Sequence, residues 1–286
     1  MKEIVIISGK GGTGKTVIAA SIAALAKNKV MGDCDVDASN LYLLLHPEIK
    51  DKHDFYGGVV PSLDLKKCIN CGRCQEVCRF DAIKTIKGQT VIDLVSCEGC
   101  GLCALVCPVK AIQMEENHCG EWYISETKYG PLVYARLGIA EENSGKLVTL
   151  VRENAKKIAE KNDLGLIIID GPPGIGCPLI ATLSGANLAV VVTEPTLSGL
   201  HDLQRVSKVA QHFGVKTVVI INKYDINLEN SLKIEDWCKK NNISVIGKIH
   251  FDNIITEALV KGLPVVEYSD NRTTKEIKDI WQSISR

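Results

Sequence analysis

Blocks of apolar and polar residues alternate along the chain and predict a regular succession of strands and helices. The runs rich in apolar residues, which predict strands, are 4–7, 29–32, 89–94, 111–115, 119–128, 164–169, 186–192, 215–221 and 244–249. Apolar residues at helical spacing predict helices at 17–26, 145–159, 197–212, 231–241 and in the C-terminal segment containing Ile277, Ile280, Trp281 and Ile284. This succession indicates an α/β fold, with a mostly parallel sheet and helices on both faces.

A glycine-rich stretch, Ser8 to Thr16, separates the first predicted strand from the first predicted helix. Its glycines allow the loop to wrap a polyphosphate and to aim backbone N–H groups at it. Lys15 would reach the β- and γ-phosphates, and the Thr16 hydroxyl would bind Mg²⁺. The predicted nucleotide-binding residues of this loop are Gly9, Lys10, Gly11, Gly12, Thr13, Gly14, Lys15 and Thr16. A dinucleotide fingerprint, with Asp33 or Asp35 on the ribose, is the alternative, but it leaves Lys15 and Thr16 without a role.

Aspartates follow two of the predicted strands. Asp33 and Asp35 come after the strand at 29–32, and Asp170 comes after the buried run 164–169. Because the carboxyl ends of parallel strands share one edge of a sheet, these carboxylates should face the phosphate loop. Asp170 then occupies the position that holds Mg²⁺ through water in phosphate-loop enzymes. For Asp33 and its loop, a polar segment capping a helix near Asn40 remains the alternative.

Eight of the twelve cysteines form two runs of identical spacing, offset by 29 residues. The runs are Cys68, Cys71, Cys74 and Cys78, and Cys97, Cys100, Cys103 and Cys107. So many cysteines without a secretion signal indicate metal ligation or redox chemistry rather than disulfides. Two zinc sites are an alternative, but they leave the third cysteine of each triplet without a role. A change of composition at Pro61 predicts a module at 61–116, inserted in a larger domain of residues 1–60 and 117–286.

Charge and hydropathy exclude several kinds of partner. The 286 residues include 34 basic and 34 acidic side chains, so we predict neither nucleic acid nor an anionic membrane as a partner. No apolar run approaches the length of a membrane span, and the N-terminus enters a strand without a leader. We therefore expect a cytoplasmic protein without a membrane span.

The form Gly-Lys-Gly-Gly-x-Gly-Lys-Thr of the loop resembles the deviant Walker A motif of the MinD/ParA superfamily, which includes the nitrogenase iron protein. The segment Thr193 to Gly199 and the Pro-Pro-Gly-Ile-Gly-Cys-Pro run also match this superfamily. The resemblance implies a P-loop ATPase in which Lys10 reaches the partner's phosphates across an ATP-dependent homodimer. A solvated loop lysine is the alternative for Lys10.

The same resemblance implies roles for individual residues. Asp35 would position or activate the attacking water, and Asp33 would join Thr16 near Mg²⁺. Asn222, at the end of the strand at 215–221, would recognise adenine, with a polar strand end as the alternative. The residues implied in catalysis are Lys10, Lys15, Asp35 and Asp170.

The duplicated cysteine runs resemble the bacterial two-cluster ferredoxin, a small α+β domain. That resemblance implies two 4Fe–4S clusters with crossed ligands, because the fourth cysteine of each run binds the other cluster. The implied ligands are Cys68, Cys71, Cys74 and Cys107 for one cluster, and Cys97, Cys100, Cys103 and Cys78 for the second. Arg79 departs from the pattern, which has a proline there, as at Pro108.

Three functions fit these resemblances. An ATP-driven electron carrier would pass electrons through the clusters to an unidentified redox partner, and we favour this hypothesis because the eight cysteines form a closed framework. A cluster carrier would instead hand clusters to an apoprotein, and a non-catalytic switch would use its nucleotide state to recruit partners. Cys177 could receive a cluster at a dimer interface, but we favour a small apolar residue packed at a helix start. Cys34 is expected to point into the sheet, without chemistry.

Overall fold

Two compact units make up the chain in the computed structural model, which describes residues 1–138 and 145–285. The described residues of the larger unit are 1–53, 121–137 and 145–285. Those of the smaller unit are 54–120 and 138. The smaller unit thus extends beyond the predicted module at both ends.

Strands and helices alternate through most of the chain. The strands are β1 Lys2–Ser8, β2 Lys29–Asp33, β3 Glu48–Leu63, β4 Ile83–Ile86, β5 Gln89–Ile92, β6 Ile112–Thr127, β7 Gly130–Leu137, β8 Leu166–Pro173, β9 Leu188–Thr193, β10 Lys216–Asn222 and β11 Ser244–Ile249. The helices are α1 Lys15–Leu25, α2 Leu41–Leu45, α3 Arg73–Glu76, α4 Leu102–Val106, α5 Lys146–Lys161, α6 Cys177–Leu183, α7 Leu197–His212, α8 Leu228–Lys240, α9 Asn253–Val260, α10 Val265–Tyr268 and α11 Arg272–Ser285. A short 3₁₀ helix covers Tyr224–Ile226.

The main sheet has nine strands within the described ranges, in the order β11-β10-β9-β1-β8-β2-β7-β6-β3. Every pair from β11 across to β7 is parallel. Strands β3 and β6 contain residues of both units. The predicted α/β fold with a mostly parallel sheet is confirmed, and β1 lies in the middle of its parallel part.

Helices cover both faces of this sheet because its central strands are apolar on both sides. Ile4 and Ile6 pack in one core with α1, α2, α10 and α11. On the opposite face Gly32 of β2 approaches Val151 and Ala155 of α5, while α6 and α7 pack against β8 and β9. The apolar face of α11, with Ile277, Ile280 and Ile284, is buried in the first core, as predicted.

The sequence pattern missed or misplaced several strands. It did not predict β3, β4 and β7. Strand β3 is mostly exposed and carries many charged residues, so it lacks an apolar run. The predicted strands at 111–115 and 119–128 are wrong as separate elements, since β6 runs through the polar residues between them. Strand β8 continues beyond Asp170 to Pro173, so this aspartate lies within the strand rather than at its end. Among the described residues, no helix is both long and apolar enough to cross a membrane.

Candidate functional site

The phosphate loop lies between β1 and α1, as its sequence predicts. Gly14 caps the helix in the left-handed conformation with φ of 85°, and its carbonyl accepts a hydrogen bond from Ile18 N at 3.1 Å. A side chain at Gly14 would also meet Asn222, because an added Cβ would lie 2.4 Å from the Asn222 Nδ2 atom. At Gly9 an added Cβ would lie 2.3 Å from the Cβ of Asp202 in α7. These two glycines are therefore required by backbone conformation and by close packing.

Lys15 is the buried centre of this site. Its ammonium Nζ lies 2.8 Å from Asp170 Oδ1 and 3.2 Å from Asp35 Oδ2, and its side chain is 6% exposed. Burial alone would lower the pKa of Lys15, but the charges of Asp170 and Asp35 outweigh burial and raise it to about 12. Lys15 is therefore a buried cation that joins the phosphate loop to Asp170 within β8 and to Asp35 after β2.

Asp33 holds its own loop together in this structure. Its Oδ2 accepts hydrogen bonds from the Ser39 hydroxyl at 2.7 Å and from Leu41 N at 3.1 Å, and its Oδ1 accepts one from Asp35 N at 3.1 Å. The bond from Leu41 satisfies the first N–H of α2, a task that the side chain of Asn40 does not perform. Burial and the neighbouring Asp170 raise the pKa of Asp33 to about 7. Its predicted place near Mg²⁺ stays a prediction.

Two buried polar atoms at the site lack a hydrogen-bond partner within residues 1–138 and 145–285. They are Asp170 Oδ2 and Thr13 Oγ1, on side chains that are 0% and 2% exposed. An orphaned buried carboxylate oxygen is costly unless a ligand or water supplies its partner. Three carboxylates also surround one ammonium here, so a bound cation would balance their charge. The donor set around Asp170 therefore fits Mg²⁺ with its water shell.

Lys10 lies on the outer side of the loop against the segment Thr193 to Gly199. Its Nζ is 3.5 Å from Glu194 Oε2 and 3.4 Å from the hydroxyl oxygens of Thr196 and Ser198. Glu194 also pairs with Lys223 at 2.6 Å. Sequence reasoning did not assign Glu194, Lys223 or Asp202 to the site, although the matched segment from Thr193 contained the first of them.

Asn222 connects the end of β10 to the phosphate loop. Its amide Nδ2 donates to the Thr13 carbonyl at 2.8 Å, and its Oδ1 accepts from Lys223 N at 3.0 Å. The side chain is buried and both of its polar groups are engaged within the protein. The structure thus places Asn222 beside the loop, and its recognition of adenine stays a prediction.

The smaller unit shows the internal duplication in its backbone. Residues offset by 29 positions share left-handed φ angles: Asn70 and Gly99 at 52° and 64°, Gly72 and Gly101 at 77° and 75°, and Asp81 and Lys110 at 51° and 50°. Its two halves also exchange hydrogen bonds reciprocally. Asp64 N donates to Ala111 O at 2.8 Å, and Asp93 N donates to Ala82 O at 2.7 Å. The halves are therefore interlocked by a pseudo-twofold relation.

This interlocking brings cysteines of the two runs together. One cavity of the smaller unit is lined by Cys68, Cys71 and Cys74 of the first run and by Cys107 of the second. Cys74 and Cys103 also pack in one small apolar cluster with Ile83 and Ile112. Across residues 1–138 and 145–285, no three His, Cys, Asp or Glu side chains are grouped as a site for one metal ion.

The remaining predicted cysteines differ in exposure. Cys34 is buried, as expected, and burial raises the pKa of its thiol well above the ordinary value. Cys177 begins α6, but its side chain is exposed, so the predicted packing of this residue is wrong. The reason is that α6 turns Leu179 and Leu183, rather than its first residue, into the core.

A strand, a glycine loop with a terminal lysine and a helix, facing aspartates on neighbouring parallel strands, define a phosphate-loop nucleotide-binding protein. Residues 4–265 match the family described as the CobQ/CobB/MinD/ParA nucleotide binding domain, and the chain belongs to this family. An uncharacterized protein of Methanocaldococcus jannaschii is 36% identical over 288 residues, covering 99% of this chain and 96% of the relative. The septum site-determining protein MinD of Neisseria meningitidis is 24% identical, covering 98% and 89% respectively.

Solved structures share the fold at lower identity. The septum site-determining protein MinD of Pyrococcus horikoshii, complexed with Mg-ADP, has a TM-score of 0.61 at 18% identity, covering 100% of this chain and 96% of that one. The MinC:MinD cell division protein complex of Aquifex aeolicus gives a TM-score of 0.61 at 19% identity, with coverage of 100% and 96%. These similarities show the MinD-like α/β fold.

Proposed function

We propose that this protein is an ATP-hydrolysing homodimer that couples its nucleotide state to electron transfer through two 4Fe–4S clusters. The observation that carries the proposal is the cavity of the smaller unit, where Cys107 joins Cys68, Cys71 and Cys74. The buried cation Lys15, held by two aspartates beside the phosphate loop, supports the nucleotide part. One chain thus combines a phosphate site with thiols suited to a redox cofactor.

The thiol arrangement suits a multinuclear cluster better than a single ion. Zinc sites usually pair two Cys-x-x-Cys hairpins, which would leave the third cysteine of each triplet here without a role. In a 4Fe–4S cluster each cysteine binds a different iron, so its ligands lie around a cavity rather than converge on one point. The crossed pattern then assigns the second cluster to Cys97, Cys100, Cys103 and Cys78. Such clusters supply one-electron redox chemistry.

Backbone donors prepare the thiols for this role. Ala111 N donates to Cys107 Sγ at 3.2 Å, and Gly99 N donates to Cys97 Sγ at 3.4 Å. Hydrogen bonds of this kind stabilise a thiolate and tune the cofactor that it binds. Left-handed residues lie at both donors, at Gly99 itself and at Lys110, which directly precedes Ala111. The unit thereby supplies both ligands and their polar surroundings.

On the nucleotide side, Lys15 would exchange its aspartate partners for the β- and γ-phosphates of ATP. Thr16 and Asp33, with Asp170 through water, would hold Mg²⁺. The departure of Lys15 would release the carboxylate of Asp35, because the two groups now pair at 3.2 Å. Asp35 could then accept a hydrogen bond from the attacking water and orient it toward the γ-phosphate. Asn222 would contact the adenine.

Lys10 would connect the nucleotide to dimerisation. The ion pair between Lys10 and Glu194 is partly exposed to solvent, because the Lys10 side chain is 32% exposed. Exposed ion pairs of this kind are weak, so exchanging Glu194 for a phosphate group of the partner subunit costs little. ATP would thereby favour the dimer, whose nucleotide state would control electron transfer.

Cluster delivery to an apoprotein is the second candidate, favoured by the exposure of Cys177 at the start of α6. An exposed thiol could receive a cluster during transfer, whereas a buried one could not. Under electron transfer, Cys177→Ala should leave iron content, ATP hydrolysis and acceptor reactions unchanged. Loss of ATP-dependent cluster transfer in this variant, with iron content and hydrolysis unchanged, would favour delivery. A positioning switch, compatible with the septum site-determining relatives, predicts ATP-dependent partner recruitment without either transfer.

The deciding experiment is anaerobic purification followed by iron and sulfide analysis. The iron-labelled protein, reduced with dithionite and then desalted, is mixed either with a one-electron redox dye or with a cluster-free apoprotein, with and without ATP, and the Lys15→Ala variant serves as the matched control. Movement of electrons without labelled iron supports the proposal, and ATP-dependent movement of labelled iron supports delivery. Absence of iron and sulfide from the purified protein, and from protein reconstituted anaerobically, would refute the cluster assignment.

A further inference from the structure

The duplication in the smaller unit allows a comparison of two surfaces built on the same backbone. Segments 64–74 and 93–103 occupy equivalent positions in the two halves, each ending in the first three cysteines of a run. Asp64 and Asp93 accept equivalent hydrogen bonds on Oδ1, from Lys66 N at 2.9 Å and Val95 N at 3.1 Å. Differences between the surfaces of these two segments therefore arise from side chains rather than from the backbone fold.

The two segments carry opposite charge. Segment 64–74 has three cations, Lys66, Lys67 and Arg73, against one carboxylate, Asp64. Segment 93–103 has two carboxylates and no cation. In segment 93–103 the positions equivalent to Lys66, Lys67 and Arg73 are occupied by Val95, Ser96 and Leu102. The segment of the first cysteine run therefore carries net positive charge, and that of the second run carries net negative charge.

One of the three positive charges lies at the cysteine cavity. Arg73 lines this cavity, and Cys71 between the cations is exposed. Lys67 pairs with Asp64 at 3.3 Å. Lys66 and Arg73 are exposed and form no ion pair with any residue that the structure describes. Two exposed cations without an ion pair among the described residues thus stand on either side of Cys68 and Cys71 in the chain, and Arg73 lines the cavity.

We infer that segment 64–74 is the docking surface for a redox protein with an acidic surface. This inference rests on the proposed function, because the partner would exchange one electron with the cluster held by Cys68, Cys71, Cys74 and Cys107. Complementary charge would steer the acidic partner to this segment and away from segment 93–103. Three cations on a chain of zero net charge are too few for the extended basic surface that nucleic acids require.

The test replaces the cations by the residues at the equivalent positions, in the double variant Lys66→Val/Arg73→Leu. A second variant, Lys66→Gln/Arg73→Gln, keeps the surface polar in case the first loses its fold. The matched control is Lys239→Gln/Lys240→Gln, which removes two exposed cations from α8 in the larger unit. Each protein is reduced anaerobically with dithionite, desalted to remove the excess reductant, and mixed with one of two electron acceptors, an acidic flavodoxin or the basic cytochrome c.

At low ionic strength we expect the double variants to reduce flavodoxin roughly tenfold more slowly and cytochrome c faster or equally fast. The difference should vanish near about 0.5 M salt, because exposed charges are then screened. The control variant should behave as the parent. Equal flavodoxin rates in parent and double variants at low salt would overturn the docking surface.

A binding measurement tests the docking surface independently of the proposed function. Iron and sulfide content of the parent tests the clusters, whereas fluorescence anisotropy of labelled flavodoxin tests docking without any electron transfer. Salt-sensitive flavodoxin binding that the double variants lose supports the docking surface even if cluster content differs from expectation. Binding of labelled single-stranded RNA that the same variants lose, with flavodoxin binding unchanged, would replace it by a nucleic-acid site.

Discussion

The two units of this protein hold their reactive groups in opposite ways. In the larger unit, Lys15 and its aspartate partners are buried at the edge of a parallel sheet and oriented by protein contacts. In the smaller unit, Cys71 and Cys100 are exposed, and the described apolar cluster around Cys74 and Cys103 is small. The nucleotide site is therefore organised before its ligand binds, whereas the cysteine unit has too little core to be rigid alone.

The largest expected effect comes from removing iron. Chelation of the iron without denaturant should partly unfold residues 61–116 and leave the larger unit folded. Bound clusters contribute folding free energy that the small apolar core of this unit cannot replace. Hydrogen exchange should show lost amide protection in β4 and β5 but not in β1 and β8. Equal protection of β4 and β5 before and after iron removal would show that the cysteine unit is stable by itself.

The second largest effect is expected for the Lys15→Ala variant. It should lower ATP hydrolysis by at least about a hundredfold, because a preorganised cation at the phosphates is lost. It should also lower the free energy of unfolding by about 3 to 5 kcal/mol, since Asp35 and Asp170 lose their buried counterion. Urea unfolding of the larger unit and a phosphate-release assay measure these effects.

Cluster content provides the control for that variant, because the cysteines belong to a separate unit. Iron per chain should equal that of the parent within error. Hydrolysis at the parental rate would refute the phosphate-loop assignment, and a fall in iron would show that cluster content depends on the nucleotide site.

The crossed ligation of the two clusters predicts an effect of intermediate size, the loss of one cluster. Cys78→Ser should reduce iron from about eight to about four per chain, because one of two clusters is lost. Adding Cys100→Ser should cause no further loss, since both cysteines would serve the same cluster. Adding Cys71→Ser should remove most of the remaining iron. The reverse result, with Cys71 and Cys78 acting on one cluster, would refute the crossed pattern.

The smallest effect is expected for Lys10→Ala. Nucleotide affinity of the monomer should change little, because Lys10 lies against Glu194 at 3.5 Å on the outer side of the loop. ATP-dependent dimerisation should weaken, as measured by light scattering with a non-hydrolysable analogue. An unchanged dimer fraction would contradict a role for Lys10 across the dimer.

The sequence alone determined the parts that depend on local pattern. Apolar runs predicted most strands of the parallel sheet, and α7 and β11 fall at the predicted residues. The glycine loop located the phosphate site, because its spacing reflects backbone requirements at Gly9 and Gly14. The 29-residue repeat likewise revealed the duplication that the backbone angles display.

Tertiary structure decided what depends on residues far apart in the chain. The pairing of Lys15 with both Asp35 and Asp170, the attachment of Asn222 to Thr13, and the meeting of Cys107 with the first cysteine run all join distant segments. No local pattern encodes such contacts, because they arise from the order of strands in the sheet and from interlocking halves. The exposure of Cys177 was decided in the same way, by which face of α6 meets the core.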